Sequence, residues 1–228
     1  MRQLFVHIPI NLYHKAARIY YRVKRRKSIF IEIYKKNGFM GVESVSGPGS
    51  SLKQTNIIRR ELPELLKALD VRSLLDAPCG DFNWMKDLSL DIESYIGIDI
   101  VPDLIRINSA QYSNGSRRFI CLDIVKDSLP SVDLILCRDC FVHLAFFEIL
   151  RALRNFSQSN SKYILTTTFT SVQKNEDIIT GFWRPINLQR APFNFPAPIK
   201  IINEGCTEGN GMYPDKCLGL WKLDHLMI

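Results

Sequence analysis

The sequence lacks the segments that would carry a protein into or across a membrane. No apolar stretch among its 228 residues is long enough to span a bilayer. The first residues contain neither the apolar run nor the small-residue cleavage site of a secretory signal. We therefore expect a cytoplasmic protein, with peripheral attachment to a membrane as the alternative.

Patterns for metal binding and for disulfides are also scarce. Among six cysteines, only Cys137 and Cys140 have the C-x-x-C spacing of redox and zinc sites. A zinc site needs a second pair, and Cys206 with Cys217 has poor spacing for one. Cysteines in predicted buried strands act as small apolar residues. The sequence therefore predicts reduced thiols and no metal site.

Positive charge is scarce outside the N-terminus. Residues 1–36 hold ten Lys or Arg and one Glu, whereas the whole chain has a formal net charge of +7, so the remainder is slightly acidic. Apolar residues alternate with these bases, and we predict a helix over residues 11–25. A basic amphipathic segment is typical of contact with an anionic membrane surface or with nucleic acid. A helix docked on the core with a solvated outer face is the alternative.

Apolar runs and helical patterns alternate along the rest of the chain. A Gly- and Ser-rich loop at residues 38–51 leads into a predicted helix over residues 52–69. Strands are then predicted at residues 72–76, 94–99, 118–122, 132–138, 162–169, 198–202 and 218–223. Helices are predicted at residues 81–88, 102–113 and 142–156. This alternation is typical of an α/β protein with a parallel sheet and helices on both faces.

Acidic residues end or follow several of these strands. Asp76, Asp99, Asp123 and Asp139 occupy such positions, and the carboxyl ends of parallel strands are where ligands bind. Asp99 lies 23 residues after Asp76, near the roughly 20 residues expected between a Gly turn and a ribose-binding acid. The G-x-G-x-x-G spacing is absent, which argues against a nicotinamide-dependent oxidoreductase.

Four ordered segments carry a resemblance to a known family. They are Asp-Ala-Pro-Cys-Gly-Asp at residues 76–81, Gly-Ile-Asp at 97–99, Leu-Asp-Ile at 122–124 and Asp-Leu-Ile-Leu-Cys-Arg at 133–138. This series resembles the motifs of class I S-adenosylmethionine-dependent methyltransferases, and the resemblance runs from roughly residue 44 to the C-terminus. Pro78 and Phe82 stand where that family usually has glycine, whereas Gly80 is kept.

The resemblance implies a fold and a division of the chain. The expected fold is a doubly wound, mostly parallel seven-stranded sheet with the last strand antiparallel and helices on both faces. A basic N-terminal segment, residues 1–36, precedes a methyltransferase domain, residues 37–228. The domain should contain a lid loop and helix, a cofactor-binding core, an acceptor-site loop and closing strands, at residues 38–70, 72–169, 173–198 and 199–228.

S-adenosylmethionine is the cofactor that the resemblance implies. Asp99 should accept hydrogen bonds from the ribose hydroxyls, with Ile100 against the adenine ring. Asp123 should accept from the adenine amino group, and Ile124 should offer a backbone N–H. The full set of expected cofactor-binding residues is Asp76, Ala77, Pro78, Gly80, Asp81, Asp99, Ile100, Asp123, Ile124 and Arg138.

The residues of the acceptor site should come after the fourth and fifth predicted strands in the sequence. Transfer to an oxygen atom often needs a base, and Asp139 and His143 are the candidates. For His143, a structural hydrogen bond to the preceding turn is the alternative. Trp183, Arg184 and Asn187, in a proline-rich loop, offer apolar surface and donors that should contact the acceptor.

These features together predict a methyltransferase that O-methylates a small molecule or a glycan. A nucleic-acid methyltransferase that uses the basic N-terminus is less favoured, because the Asn/Asp-Pro-Pro-Tyr/Phe tetrapeptide of base-amine methylating relatives is absent after strand four. A non-catalytic module that binds the cofactor is the third possibility, suggested by Pro78 and Phe82.

Overall fold

Seven strands form one sheet in the computed structural model, which describes residues 25–226. They are β1 (Ser73–Asp76), β2 (Ser94–Asp99), β3 (Arg117–Cys121), β4 (Leu134–Cys137), β5 (Tyr163–Phe169), β6 (Lys200–Asn203) and β7 (Lys216–Lys222). The order is β3-β2-β1-β4-β5-β7-β6. Strands β1 to β5 pair in parallel, and β7 pairs antiparallel with β5 and β6. The predicted doubly wound sheet with an antiparallel last strand is confirmed.

Helices cover both faces of this sheet. They are α1 (Arg26–Lys35), α2 (Asn56–Ala68), α3 (Pro102–Tyr112), α4 (Phe146–Gln158) and the four-residue α5 (Glu208–Gly211). Leu74 and Leu75, neighbours in β1, point to opposite faces because side chains alternate along a strand. Leu74 belongs to the apolar cluster that includes α2, and Leu75 to the cluster that includes α4. The helix predicted over residues 11–25 falls outside the described residues, apart from Arg25.

The helix predicted at residues 81–88 is absent, and this prediction is wrong. The chain leaves β1 through turns that extend to Asp87. Phe82 has a φ of 61°, in the left-handed region that a right-handed helix excludes. Its buried ring packs edge-on against Tyr95 and Phe119. The apolar residues that suggested helical spacing are therefore buried by a turn.

The helix predicted from residue 142 begins later than its pattern indicates. A 3₁₀ turn covers Phe141–His143, and α4 begins at Phe146. Asp139, before this turn, has a φ of 51°. Asp139 and His143 are four residues apart, a spacing that would place them on one face of a helix, but they do not share a helical face here.

Residues 173–198 form the irregular stretch that their four prolines predict. Two buried amides hold it together. Asn175 Nδ2 donates to the carbonyls of Asn187 (2.8 Å) and Ala191 (2.9 Å), and Asn187 Nδ2 donates to that of Val172 (2.9 Å). These hydrogen bonds satisfy backbone groups that have no partner strand.

Helix α1, part of the basic N-terminal segment, packs on the domain. Ile29 and Ile33 are buried one turn apart. Gly181 lies against them, since a Cβ at this residue would approach Ile29 Cγ2 to 2.7 Å. Within residues 25–226, no helix has the length and apolar character needed to cross a membrane.

Candidate functional site

A cavity opens at the carboxyl ends of β1 to β4. Its empty volume is about 1120 Å³, including open solvent at its mouth. Helix α1 and the loop before α2 form its outer wall. The predicted cofactor-binding residues that line it are Asp76, Pro78, Gly80, Asp81, Asp99, Ile100, Asp123, Ile124 and Arg138. Ala77 is fully buried behind them, and its N–H donates to the carbonyl of Leu136 (2.9 Å).

The turn after β1 requires glycine at residue 80. Gly80 has a φ of 54°, and a Cβ there would lie 2.2 Å from Ser46 Oγ. Its N–H donates to Asp99 Oδ2 (3.2 Å), and its carbonyl accepts from Asn108 Nδ2 (2.8 Å). Asn108 is a buried residue of α3 that sequence reasoning missed, because an asparagine within a helix gives no local sign of a distant partner.

Two carboxylates with raised pKa values face the cavity. Burial raises the pKa of Asp76 to about 7, although Tyr95 donates its hydroxyl to this carboxylate (2.5 Å). Burial likewise raises the pKa of Asp99 to about 6, against hydrogen bonds from the backbone N–H groups of Val101 (2.9 Å) and Gly80. Both groups can accept hydrogen bonds from a ligand when ionised.

Asp81, in the turn after β1, binds the loop before α2 that forms part of the outer wall. Its Oδ2 accepts from the backbone N–H of Val45 (2.9 Å), and its Oδ1 accepts from the hydroxyls of Ser44 (2.9 Å) and Ser46 (3.3 Å). Val45 and Ser46 themselves line the cavity. The carboxylate of Asp81 thus holds the Gly- and Ser-rich loop over the site.

The cavity wall near β3 includes residues that the sequence did not indicate. Arg26, Phe30 and Tyr34 of α1 line it beside Asp123. The guanidinium of Arg26 forms ion pairs with Asp123 and Glu148. These residues were missed because the basic run suggested an exposed surface. Arg26, Phe30 and Tyr34 recur at helical spacing beside the apolar Ile29 and Ile33, and this periodicity was the sequence signal that they face the protein.

Arg138 is buried beside the cavity and binds the protein itself. Its Nη2 donates to Glu204 Oε2 (2.8 Å) and to the carbonyl of Gly49 (2.9 Å), and its Nη1 lies 3.3 Å from Asp139 Oδ2. Burial disfavours its charge, but Glu204 and Asp139 outweigh burial and raise its pKa. The guanidinium thus joins the Gly- and Ser-rich loop to the end of β4.

Asp139 lies in the same charge cluster. Lys216 Nζ lies 2.7 Å from Asp139 Oδ2 and 3.3 Å from Glu208 Oε2. Burial alone would raise the pKa of Asp139, but Lys216 and Arg138 outweigh it and hold that pKa well below its usual range. A carboxylate that holds a proton so weakly is a poor general base. No local pattern predicts Lys216, which lies 77 residues from Asp139 in the sequence.

The ring of His143 is fixed with one nitrogen available as an acceptor. Its Nδ1 lies 3.0 Å from the carbonyl oxygen of Phe182, and because a carbonyl only accepts, Nδ1 carries the hydrogen. Nε2 is then the unprotonated nitrogen. Burial lowers the pKa of His143 to about 4, so the imidazole is neutral at physiological pH. The ring of Phe39 packs against it, with centroids 4.7 Å apart.

The three predicted acceptor residues lie outside the cavity lining. Trp183 is 41% exposed, and its ring packs edge-on against Phe169 and Tyr213. Arg184 is buried, and its guanidinium donates to backbone carbonyls that include that of Leu144 (2.8 Å). Asn187 is buried within its own loop. Only Trp183 presents a side chain that an external molecule can reach.

All six cysteines have free thiols. Within the described part of the chain, no group of three or more His, Cys, Asp or Glu side chains is arranged to hold a metal ion.

No protein-family model and no curated protein matches the chain. Solved structures do. The methyltransferase domain of bacterial CtHen1 superposes with a TM-score of 0.54 at 11% identity, covering 75% of this chain and 100% of that one. The N-methyltransferase NodS from Bradyrhizobium japonicum WM9 superposes with a TM-score of 0.51 at 13% identity, covering 73% and 97%. With the strand order above, these likenesses show that the chain has the fold of class I methyltransferases.

Proposed function

We propose that the protein is an S-adenosylmethionine-dependent methyltransferase. The observation that carries this proposal is that Asp76, Asp99 and Asp123, from the ends of neighbouring strands, line one cavity on a methyltransferase fold. A fold alone does not define an activity, whereas the chemistry of a cavity limits which ligand it can bind.

The donor and acceptor groups of the cavity fit this cofactor. Carboxylates suit its ammonium group, its ribose hydroxyls and its adenine amino group. The cavity-lining arginines, Arg26 and Arg138, are each paired with carboxylates, so they leave little uncompensated positive charge near a sulfonium. When bound, the cofactor supplies an electrophilic methyl group.

We assign the cofactor-binding roles as follows. Asp99 accepts from the ribose hydroxyls, and Ile100 packs on the adenine. Asp123 accepts from the adenine amino group, and Ile124 offers its N–H. The remaining residues of the set, Asp76, Ala77, Pro78, Gly80, Asp81 and Arg138, shape and enclose the methionine end. Asp81, Ala77 and Arg138 do so by holding backbone, as their hydrogen bonds support.

An oxygen acceptor is favoured by the state of His143. A hydroxyl must lose its proton during transfer. Of the two candidates, His143 is the more basic, with a pKa of about 4 against a carboxylate whose pKa is held well below its usual range. Asp139, which stays ionised, is then an electrostatic partner that stabilises the imidazolium. We infer O-methylation with His143 as the base.

The acceptor class that we propose is a small molecule or a glycan. Trp183, with Tyr213 against it, gives a rigid aromatic surface beside the residue whose carbonyl fixes His143. Arg184 and Asn187 serve the acceptor site by holding its loop. Nucleic acid is the second candidate, favoured by the nine basic residues within residues 1–36 other than Arg26, whose guanidinium pairs with Asp123 and Glu148. The same residues favour contact of a cytoplasmic protein with an anionic membrane surface.

Incubation with methyl-labelled cofactor and fractionated cell extract tests this function. We expect label in the small-molecule or glycan fraction, in an alkali-stable ether linkage. Label in RNA or DNA would select the nucleic-acid alternative. Cofactor binding without label in any fraction would identify a non-catalytic module.

A further inference from the structure

Arg26 joins two buried carboxylates that belong to different parts of the fold. One is Asp123, which follows β3 and lines the cavity, and the other is Glu148, in the first turn of α4. The side chains of all three residues are at least 86% buried. Among residues 25–226, this guanidinium is the cation that pairs with each of the two carboxylates, and a buried, unpaired charge is strongly unfavourable.

The same residue begins the helix that forms the outer wall of the cavity. Arg26 is the first residue of α1, and Phe30 and Tyr34 follow it at helical spacing and line the cavity. Ile29 and Ile33 attach the helix to the core by apolar contact. Arg26 therefore adds a polar anchor to a wall that Ile29, Ile33 and Phe30 hold by apolar contact.

Glu148 extends this connection to the loop at residues 173–198. The hydroxyl of Thr180 donates to Glu148 and accepts from the backbone N–H of Ala145 (3.0 Å). Thr180 lies two residues before Phe182, whose carbonyl oxygen fixes the ring of His143. A chain of hydrogen bonds thus runs from Asp123 through Arg26 and Glu148 to the acceptor side.

Asp123 has the capacity to bind Arg26 and a ligand together. Its Oδ1 accepts from the backbone N–H of Val125 (3.0 Å), and its Oδ2 binds Arg26. Each carboxylate oxygen offers about two acceptor positions, so lone pairs remain for an amino group inside the cavity.

We propose that Arg26 is a positioning residue of the cofactor site, which orients Asp123 for the adenine amino group and holds α1 as the cavity wall. The proposal rests on the proposed function. It predicts that Glu148, which does not line the cavity, affects cofactor affinity only through Arg26.

Calorimetric titration of the full chain with S-adenosylhomocysteine tests the proposal in four variants. Arg26→Ala should raise Kd about tenfold or more, equivalent to about 1.4 kcal/mol. Glu148→Gln should raise Kd by a smaller factor, and the double variant should match Arg26→Ala. Arg25→Ala, the matched control, removes an exposed cation at the same helix terminus and should leave Kd unchanged.

An unchanged Kd in Arg26→Ala would overturn the proposal while the proposed function stands. The same conclusion would follow if the increase in Kd of the double variant equalled the product of the increases in the two single variants. Absence of binding by the parent protein would instead refute the proposed function. Melting curves accompany each titration. If Arg26→Ala does not unfold cooperatively, Arg26→Gln, which keeps a side-chain N–H donor, takes its place with the same expected loss of affinity.

Discussion

Replacing Lys216 by methionine should remove a large share of the stability of the fold. Lys216 is 5% exposed, and its Nζ lies 2.7, 3.3 and 3.6 Å from carboxylate oxygens of Asp139, Glu208 and Glu204. Removal of one partner from a buried ion pair costs about 3–5 kcal/mol, because the other charge stays buried and unpaired. Arg138 still pairs with Asp139 and Glu204, so we place the loss near about 3 kcal/mol.

The loss should depend on pH in a defined direction. Lys216 and Arg138 hold the pKa of Asp139 below its usual value. The stabilisation is therefore present above the unfolded pKa of about 4 and disappears as pH falls through the lower folded pKa. The free-energy difference between the parent protein and Lys216→Met should narrow on acidification below about pH 4.

Urea unfolding at several pH values measures this difference. Lys200→Met on the edge strand β6, where the lysine is exposed, is the control and should change the free energy of unfolding by at most about 0.5 kcal/mol. A loss below about 1 kcal/mol for Lys216→Met, typical of an exposed pair, would refute a buried charge cluster. An unchanged difference at acid pH would refute the assignment to Asp139.

Three further outcomes follow from the site. The affinity for S-adenosylhomocysteine should fall between about pH 8 and pH 5, because a ligand that needs ionised Asp76 and Asp99 must displace their protons. Calorimetry near pH 6 in two buffers should report release of on the order of one proton, and no release would contradict this. His143→Gln should lower methyl transfer roughly a hundredfold with unchanged cofactor affinity. Equal loss of methyl transfer and of cofactor affinity would show that His143 does not act as a base. Trp183→Ala should lower turnover with the smaller drop in melting temperature, because Trp183 is 41% exposed. Arg184→Ala, at a buried residue, should lower the melting temperature by several degrees, about 2–4 °C per kcal/mol lost. If Trp183→Ala lowered the melting temperature more and Arg184→Ala lowered turnover more, Arg184 would contact the acceptor and Trp183 would have the structural role.

The strands were predictable because local chemistry determines their ends. The apolar run that closes at Asp99 gives β2 its predicted bounds, Ser94–Asp99. Asp99 ends this run at the carboxyl edge of the sheet, where its carboxylate accepts from the backbone N–H groups of Gly80 and Val101. The turn after β1 was not predictable in the same way. Spacing around Phe82 suggests a helix, but burial of its ring among aromatic residues from distant elements decides the backbone conformation.

The residues of the candidate site also differ in whether local sequence predicts them. Carboxylates that end strands, such as Asp76 and Asp99, were predictable from sequence and line the cavity. Partners supplied by tertiary contact, such as Arg26 and Lys216, were not. Nothing near Lys216 in the sequence marks its charge as buried, and the helical spacing of Arg26 from Ile29 and Ile33 is obscured by the run of bases around it. Arg184 shows the converse: its type and loop position suggest a ligand contact, yet its donors bind backbone carbonyls.

Titration of the full chain with S-adenosylhomocysteine, in the parent protein and in Asp99→Ala, tests the proposed cofactor site most directly. Asp103→Ala, which removes a half-exposed carboxylate of α3, is the matched control. We expect binding by the parent and the control. Asp99→Ala should bind more weakly by roughly 1.5–3 kcal/mol, the value of a hydrogen bond to a charged group. No binding by the parent, or equal binding by Asp99→Ala, would contradict the site described above.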